Sequence, residues 1–270
     1  MKKKAHTRSS SADQEFLYGV NPLLEALRAG DRVPSEIMLA EGARDERLRE
    51  LIELAGIRNV TVKRVPRATI DRAVGNTHHQ GVLARVTRAH YADIDDLMSA
   101  IGAGVGSESE PLIVVLDGVE DPRNLGAILR TAECAGVDGV FVPERRAAGL
   151  TDAVAKAAAG AVEHVPVARA TNLNRLIEQL KERNVWVVGA VADASMNYTE
   201  WDWTRPSAVV LGGEGAGLHR LVRENCDVLV RIPVHGKIQS LNVSVAGGII
   251  LYEALRQRAI ANLNPATIKL

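Results

Sequence analysis

The chain has 270 residues and a mass of 29.0 kDa, which suits one large or two modest domains. The hydrophobic fraction of 46% and the charged fraction of 24% are ordinary for a globular protein. No apolar run reaches the roughly 18 residues that span a bilayer, which excludes a membrane-spanning helix. The formal net charge of +0 is atypical of a nucleic-acid-binding protein.

The N-terminus reads MKKKAHTRSSSADQE, which is basic and then Ser-rich, and no apolar stretch follows as a signal peptide requires. We expect residues 1–14 to be a disordered basic tail and the protein to be cytoplasmic. Cys134 and Cys226 lie in apolar helical contexts, which favours two buried thiols over a disulfide.

Short strands alternate with helices up to about residue 90. A helix is predicted from Pro22 to Gly30, and an amphipathic helix over RDERLRELIELAG. Strands are predicted over EIMLA, VTVKRV and GVLARVTR. Residues 15–90 are therefore expected to form a small α/β domain.

This first domain carries a basic segment whose only acidic residue is Asp71. A run of like charge is usually a solvated face, but it can also follow the phosphates of a nucleic acid. The basic side chains are Arg58, Lys63, Arg64, Arg67, Arg72, Arg85 and Arg88.

Residues 91–110 are acidic and end in SAIGAGVGSESE, which is rich in Gly and Ser and has no periodicity. We interpret this stretch as a linker.

The alternation becomes regular after the linker. Strands are predicted over LIVVLDGV, GVFVP, EHVPVA, VWVVGAVA, SAVVLGG and VLVRIPV, and helices over NLGAILRTAECAG, DAVAKAAAGA, NLNRLIEQLKERN, GLHRLVREN and VSVAGGIILYEAL. Apolar strands between helices indicate a parallel sheet covered on both faces. Ligands bind beyond the carboxyl ends of such strands, so the loops after Val119, Leu211 and Val234 are the candidate site.

The first of these loops leads into a helix that Asn124 can cap. Arg130 lies six residues further on, among apolar neighbours, and helical side chains lean toward the N-terminus. It is either a snorkelling surface residue or a functional cation positioned at the loop.

The second loop, LGGEGAGL, places glycines between a strand and a helix, where the backbone can approach a ligand closely. Its spacing is not G-x-G-x-x-G, and the acid expected in a dinucleotide-binding fold is missing. The loop is either a ligand loop that carries Glu214 or a tight turn without a ligand. His219 and His235 stand alone, and no Cys/His spacing indicates a metal site.

The third loop brings the residues SLN to the start of an apolar helix. Ser240 and Asn242 can cap that helix, and the same polar groups can contribute to a site.

In this order, the motifs DGVEDPRNLGAILRTA, LGGEGAGL and IPVHGKIQSLNVSVAGGIILYEA closely resemble those of the SpoU (TrmH-like) family of RNA ribose 2′-O-methyltransferases, part of the SPOUT superfamily. The front end, YGVNPLLEAL to HHQGVLARV, is similar to a subgroup that methylates a guanosine in the peptidyl-transferase region of 23S rRNA.

The resemblance implies an α/β catalytic domain at residues 111–260 with a deep trefoil knot and a C-terminal tail at 261–270. It implies an L30e-like RNA-binding domain at residues 15–90, S-adenosylmethionine as the cofactor, no metal, and a homodimer formed through the catalytic domain. The basic segment would then contact the ribosomal RNA.

Residue by residue, the resemblance implies a catalytic set of Arg130, Asn124, Glu214, Ser240 and Asn242. The cofactor-binding set that it implies is Leu211, Gly212, Gly213, Gly215, Ile232, Leu241 and Asn242.

Other readings stay open at this point. Family relatives methylate tRNA, or another rRNA nucleotide whose modification confers thiostrepton resistance. A nicotinamide-dependent dehydrogenase and a non-catalytic RNA-binding homologue are the alternatives from other functional classes.

Overall fold

The computed structural model describes residues 14–30, 32–43, 46–75, 78–87, 89–107 and 109–263. These residues divide into two compact units. The first contains the residues before Tyr91 together with Leu150–His164, and the second contains Tyr91–Gly149 and the residues from Val165 onward.

The first unit is built on a four-stranded sheet in the order β1-β4-β2-β3, in which β4 is antiparallel to β1 and β2 while β2 and β3 are parallel. Its main apolar core lies between this sheet and helices α1 and α2. The strands are β1 (Gln14–Tyr18), β2 (Glu36–Ala40), β3 (Thr61–Val65) and β4 (Val82–Thr87), and the helices are α1 (Val20–Ala29), α2 (Glu46–Ile57) and α3 (Arg67–Val74). The sequence analysis located the last three strands and missed β1.

A segment from the second half of the chain completes the first unit. Leu150–His164 forms α6 (Asp152–Ala157) and a short 3₁₀ turn, and Ala155 is buried in the first unit's core. His164 pairs with Glu25 at 2.9 Å, and the Lys156 ammonium lies 4.9 Å from the centre of the Tyr18 ring. The domain boundaries expected from the sequence do not anticipate this segment, because its partners are more than 100 residues away along the chain.

The second unit contains a seven-stranded sheet in the order β7-β6-β5-β10-β8-β11-β9, with every pair parallel. Its strands are β5 (Leu112–Asp117), β6 (Gly139–Pro143), β7 (Val167–Ala170), β8 (Trp186–Ala190), β9 (Met196–Asn197), β10 (Ser207–Gly212) and β11 (Val228–Arg231). Its helices are α4 (Ile94–Gly104), α5 (Pro122–Cys134), α7 (Leu173–Glu182), α8 (Arg220–Asn225) and α9 (Val243–Asn262). The predicted parallel α/β architecture is confirmed.

Helices cover both faces of this sheet, as the apolar strands predict. Every residue of β5 is buried. Side chains of α4, α7 and α8 share one core cluster with alternate residues of the central strands, such as Ile113 and Val115. On the opposite face Gly247 of α9 lies against Leu211, and α9 packs beside α5.

The predicted linker is wrong over much of its length, because Ile94–Gly104 forms α4. The Asp93 side chain caps this helix by accepting hydrogen bonds from the Asp95 and Asp96 amides at 2.9 and 3.1 Å. Leu97, Met98 and Ile101 are buried. The aspartates Asp93, Asp95 and Asp96 thus form a helix cap and a first turn, both of which favour negative charge.

Both predicted tails fall largely outside the described part of the chain. Residues 1–13 and 264–270 lie beyond it, while β1 begins at Gln14 and α9 continues to Asn262. Of the two cysteines, Cys226 is half-buried and Cys134 is exposed, so the expected burial of Cys134 is wrong.

Candidate active site

The three predicted loops leave the carboxyl ends of β5, β10 and β11 in the second unit. β5 and β10 are neighbours, and Asp117 is in register with Gly212 at their ends. The strands end within three residues of the positions expected from the sequence. The loops therefore emerge from the same edge of the sheet, as parallel strands require.

The glycine-rich loop after β10 passes so close to its neighbours that side chains are excluded at two positions. A Cβ atom at Gly213 would lie 2.1 Å from the backbone oxygen of Gly118, and one at Gly212 would lie 2.2 Å from the carbonyl carbon of Gly217. Real Cβ atoms do not approach other atoms this closely. The glycines at these positions are needed for the path of the backbone.

Asn242 is the N-cap of α9, which confirms that part of the capping prediction. Its Oδ1 accepts hydrogen bonds from the backbone amides of Ser244 at 2.9 Å and Val245 at 3.3 Å, and from the Ser244 hydroxyl at 2.6 Å. Its Nδ2 donates to Oδ1 of Asn124 at 3.0 Å. Asn242 thus joins the helix cap to a group on α5.

Asn124 connects all three motifs. It is buried, with 7% of its surface exposed, and its Nδ2 donates to the Glu214 carboxylate while its Oδ1 accepts from Asn242. The prediction that Asn124 caps α5 is wrong, because Asp121 occupies the cap and accepts from the Arg123 amide at 2.8 Å. One turn inside the helix, the Asn124 side chain is available for a tertiary network.

The other two predicted catalytic residues stand apart from this network. Ser240 lies in the exposed loop before α9. Arg130 is exposed on α5, and its guanidinium has no ion pair or hydrogen bond with any residue in the described part of the chain. Arg130 is therefore a cation that the protein's own described groups leave open to a ligand.

A cavity of about 470 Å³ lies beside the glycine-rich loop, within the range typical of small-molecule sites. Six of the seven predicted cofactor residues and the predicted catalytic residues Glu214 and Ser240 line it, whereas Asn242, Asn124 and Arg130 do not. The lining members of the predicted set are Leu211, Gly212, Gly213, Glu214, Gly215, Ile232, Ser240 and Leu241. The predicted cofactor residues are thus brought together around one space.

Sequence reasoning missed part of this lining. The loop after β8, residues 190–193, contributes to the wall because β8 lies directly beside β10 in the sheet. Asp193 in that loop forms an ion pair of 2.9 Å with Arg223, which also lines the cavity. The strand order, which periodicity does not show, was the signal needed to include this loop.

His219, which stands alone in the sequence, has a partner in the structure. The carboxylate of Asp117 at the end of β5 accepts the His219 backbone amide at 2.7 Å and lies 2.8 Å from His219 Nδ1. Asp117 is buried, with 3% of its surface exposed, and its backbone oxygen accepts the Gly213 amide at 2.7 Å. These bonds hold the two ends of the glycine-rich loop.

The predicted RNA-binding side chains lie in the first unit, and several contact their own chain. Arg58 donates to the Leu27 and Arg28 carbonyls, both in the last turn of α1, at 2.9 Å. Lys63 pairs with Glu36.

The remaining members of the basic set differ in how they are held. Arg64 and Arg72 approach backbone carbonyls at 3.2–3.5 Å, and the guanidinium of Arg85 lies 5.4 Å from the centre of the Phe16 ring. Arg67 is exposed at the start of α3. Arg88 lies outside the described residues.

Over the described ranges, no group of three or more His, Cys, Asp or Glu side chains is placed to hold a metal ion. Within the same ranges, no helix has both the length and the apolar character to cross a membrane.

Residues 111–252 match the SpoU rRNA methylase family, and residues 16–92 match the substrate-binding region of RNA 2′-O ribose methyltransferases. The chain belongs to the SpoU rRNA methylase family. It is 44% identical over 248 residues to the 23S rRNA (guanosine-2′-O-)-methyltransferase RlmB of Pseudomonas syringae pv. tomato, covering 91% of this chain and 96% of that protein. The RlmB of Shewanella oneidensis is 41% identical, with coverages of 91% and 98%.

Solved structures of SpoU-type enzymes have the same fold. The AdoMet-bound rRNA methyltransferase from Sinorhizobium meliloti superposes with a TM-score of 0.73 at 26% identity, covering 91% of this chain and 88% of that one. The expected RNA 2′-O-methyltransferase activity and the SpoU fold class are confirmed by these matches. The trefoil knot, the L30e-like fold of the first unit and the cytoplasmic location stay predictions.

Proposed function

We propose that the protein transfers a methyl group from S-adenosylmethionine to the ribose 2′-hydroxyl of a guanosine in 23S rRNA. The observation that carries the proposal is the network in which Asn124 joins Glu214 and Asn242 beside a glycine-walled cavity. The RlmB relatives, which match over nearly their whole length, support the guanosine in 23S rRNA.

The cavity fits the cofactor in size and chemistry. Its volume of about 470 Å³ suits a nucleoside-sized ligand. Apolar side chains such as Leu211, Ile232 and Leu241 line it beside the glycine-rich backbone. Such a wall can enclose an adenine ring while main-chain groups form its hydrogen bonds, and the AdoMet-bound relative supports the same cofactor.

S-adenosylmethionine supplies a methyl group that is already activated on a sulfonium sulfur. The protein therefore has to align the ribose hydroxyl with that methyl and help the hydroxyl lose its proton as the new O–C bond forms and the S–C bond breaks. Holding two reactants in attack geometry supplies about 7–11 kcal/mol of a barrier. The hydrogen-bonded network of Asn124, Glu214 and Asn242 is suited to this alignment.

Arg130 is proposed to grip a phosphate beside the target ribose and to favour the developing alkoxide electrostatically. A guanidinium group stays protonated at any physiological pH and is a poor general base, so the role of Arg130 is charge and geometry and not proton removal. Its exposure and its lack of a partner among the described residues support this role.

We further propose that the protein works as a homodimer through the catalytic unit. Val245, Tyr252, Leu255 and Ile260 of α9 expose between 38% and 54% of their surfaces. Apolar side chains along one helix favour association, because their burial removes them from water. Sedimentation equilibrium on the full chain is expected to give twice the mass of 29.0 kDa.

The function is tested by methyl transfer from labelled S-adenosylmethionine to 23S rRNA and to tRNA, followed by mapping of the 2′-O-methyl position. Label in a 23S guanosine supports the proposal. Label in tRNA or at an rRNA adenosine would redirect it to those substrates, and RNA binding without any transfer would indicate a non-catalytic homologue.

A further inference from the structure

We propose that Asp117 and His219 are positioning residues, which hold the glycine-rich loop, residues 212–218, in the shape that the cofactor cavity and Glu214 require. The inference deepens the proposed function and rests on it for the identity of the cavity's ligand. Neither residue lines the cavity, so their effect must pass through the loop.

The carboxylate of Asp117 is the fixed point. A buried carboxylate is costly unless hydrogen bonds compensate the lost hydration. Asp117 meets this condition by binding the loop: its backbone oxygen accepts from Gly213, and its two carboxylate oxygens bind the amide and the Nδ1 of His219. One residue at the end of β5 therefore holds both ends of the loop.

Between these points the loop has few other anchors: Glu214 binds Asn124, and Leu218 is buried in the core cluster of the second unit. Gly215 and Gly217 adopt φ angles of +81° and +65°, and the amide of Gly217 donates to the Gly213 oxygen at 3.1 Å. A Cβ atom at Gly215 or Gly217 would meet nothing within 4 Å, so the side of each glycine where a side chain would stand is open, while the Gly217 carbonyl lies close to Gly212. The bonds of Asp117 to Gly213 and to His219, which together form a clamp, thus hold the loop on both sides of this open segment.

Glu214 connects the position of the loop to the Asn124 network. It lies next to the clamped Gly213, and its carboxylate accepts the Asn124 side-chain amide. Residues 211–218 also form part of the cavity wall. A looser loop would therefore disturb both the cavity and the network at once.

His219 is the accessible half of the clamp. Its side chain is 51% exposed, whereas that of Asp117 is 5% exposed. With Nδ1 held against the carboxylate, the ring stands beside Gly118, where a Cβ atom would lie 3.5 Å from His219 Cε1. Gly118 is the residue whose oxygen Gly213 approaches closely, so the ring borders that contact.

The experiment compares His219→Ala with His219→Asn in the full-length protein, since substitution of buried Asp117 could prevent folding. His164→Ala is the matched control, because it removes another His–carboxylate pair, with Glu25 at 2.9 Å, in the first unit. Affinity for S-adenosylhomocysteine, kcat and KM for RNA, and deuterium exchange of residues 212–218 are measured for each variant.

His219→Ala is expected to weaken S-adenosylhomocysteine binding about tenfold, the effect of one hydrogen bond to a charged group, and to lower kcat without raising KM for RNA. Exchange across residues 212–218 is expected to become faster. His219→Asn restores a donor near the carboxylate and should recover most of the binding, while His164→Ala should match the wild type.

Wild-type exchange and wild-type affinity in His219→Ala would overturn the clamp, and so would equal losses in His164→Ala. A wild-type protein that does not bind S-adenosylhomocysteine would instead contradict the proposed function. Deuterium exchange needs no cofactor, so in that case it still decides whether the clamp orders the loop.

Discussion

Two polar clusters in the molecule differ in their surroundings: one is enclosed by the protein's own groups, and the other lies beside a cavity. In the first unit the guanidinium of Arg32, in a residue 6% exposed, donates to the Thr87 oxygen at 2.8 Å and to Glu163 at 2.5 Å, and it also pairs with Glu15. In the second unit the network of Asn124 lies beside a cavity.

The difference shows which charged groups the fold uses for itself and which it leaves for a ligand. Each nitrogen of the Arg32 guanidinium contacts the protein's own acceptors, so the cluster can only stabilise the fold. Arg130 has no such acceptor among the described residues. Arg58 belongs with Arg32, because its bonds to backbone carbonyls weaken the RNA-binding prediction for that side chain.

The largest effect is expected from removing Arg32 from its cluster with Glu15 and Glu163. Arg32→Ala leaves two buried carboxylates without their cation, and the free energy of unfolding should fall by about 3–5 kcal/mol. Arg28→Ala is the matched control, since Arg28 also pairs with two glutamates but its side chain is 46% exposed. Exposed pairs contribute about 0–1 kcal/mol. Urea unfolding of both variants checks this, and equal losses would contradict the distinction.

Arg130→Ala should have the reverse phenotype. Methyl transfer should fall about 100-fold, as for other groups that stabilise developing charge, while the unfolding free energy stays within about 0.5 kcal/mol of the wild type. Arg130→Lys should lose as much activity, because an ammonium cannot make a two-point contact with a phosphate. Single-turnover kinetics test both variants, and full activity in Arg130→Lys would falsify the bidentate role.

Asn242 has two roles that different substitutions can separate: its oxygen caps α9, and its amide group binds Asn124 in the site. Asn242→Ala removes both functions and should cost about 1 kcal/mol of stability together with at least a tenfold loss of methyl transfer. Asn242→Asp keeps the oxygen that caps α9 but loses the donor to Asn124, so its stability should be near the wild type while its activity stays low. If Asn242→Asp were fully active, Asn242 would act only as a cap.

The smallest effect concerns how the stability contributed by the Arg32 cluster depends on pH. The pKa of Glu15 is raised from its ordinary 4.5 to about 7, because burial and a hydrogen bond with Asp152 raise it by more than the charge of Arg32 lowers it. The folded state therefore favours protonated Glu15. Its contribution to stability is fully present below pH 4.5 and is lost as the pH rises through 7.

Asp152→Asn should lower the pKa of Glu15 and reduce this loss. The difference between variant and wild type should change by less than about 1.4 kcal/mol, the free energy of one pKa unit, between pH 4.5 and 8. Urea midpoints across that range measure it. Parallel curves for the two proteins would show that Asp152 does not influence Glu15.

Local sequence patterns predicted most of the helices and strands of both units and the three loops that contain the site. These features depend on local signals: the continuous apolar run of β5, the proline at the start of α5 and the glycines after β10. Helix α4 was missed although its apolar residues have helical spacing, because its Gly- and Ser-rich end was read as a linker. Strand β1 is as long as β2 and β3 but was missed, because it directly follows the polar N-terminal stretch and directly precedes the helical pattern of α1.

The packing of distant segments against one another determines which polar groups meet. Asn124 and Asn242 are 118 residues apart, and Asp117 and His219 are 102 residues apart. The local sequence around either partner gives no signal for such a pair. The sequence pattern therefore suggested that Asn124 is a helix cap and that His219 is isolated. The pairing follows from the strand order, which brings the ends of distant strands to one edge of the sheet. Local periodicity specifies each strand and helix, whereas the packing of the whole sheet selects the partners of its loops.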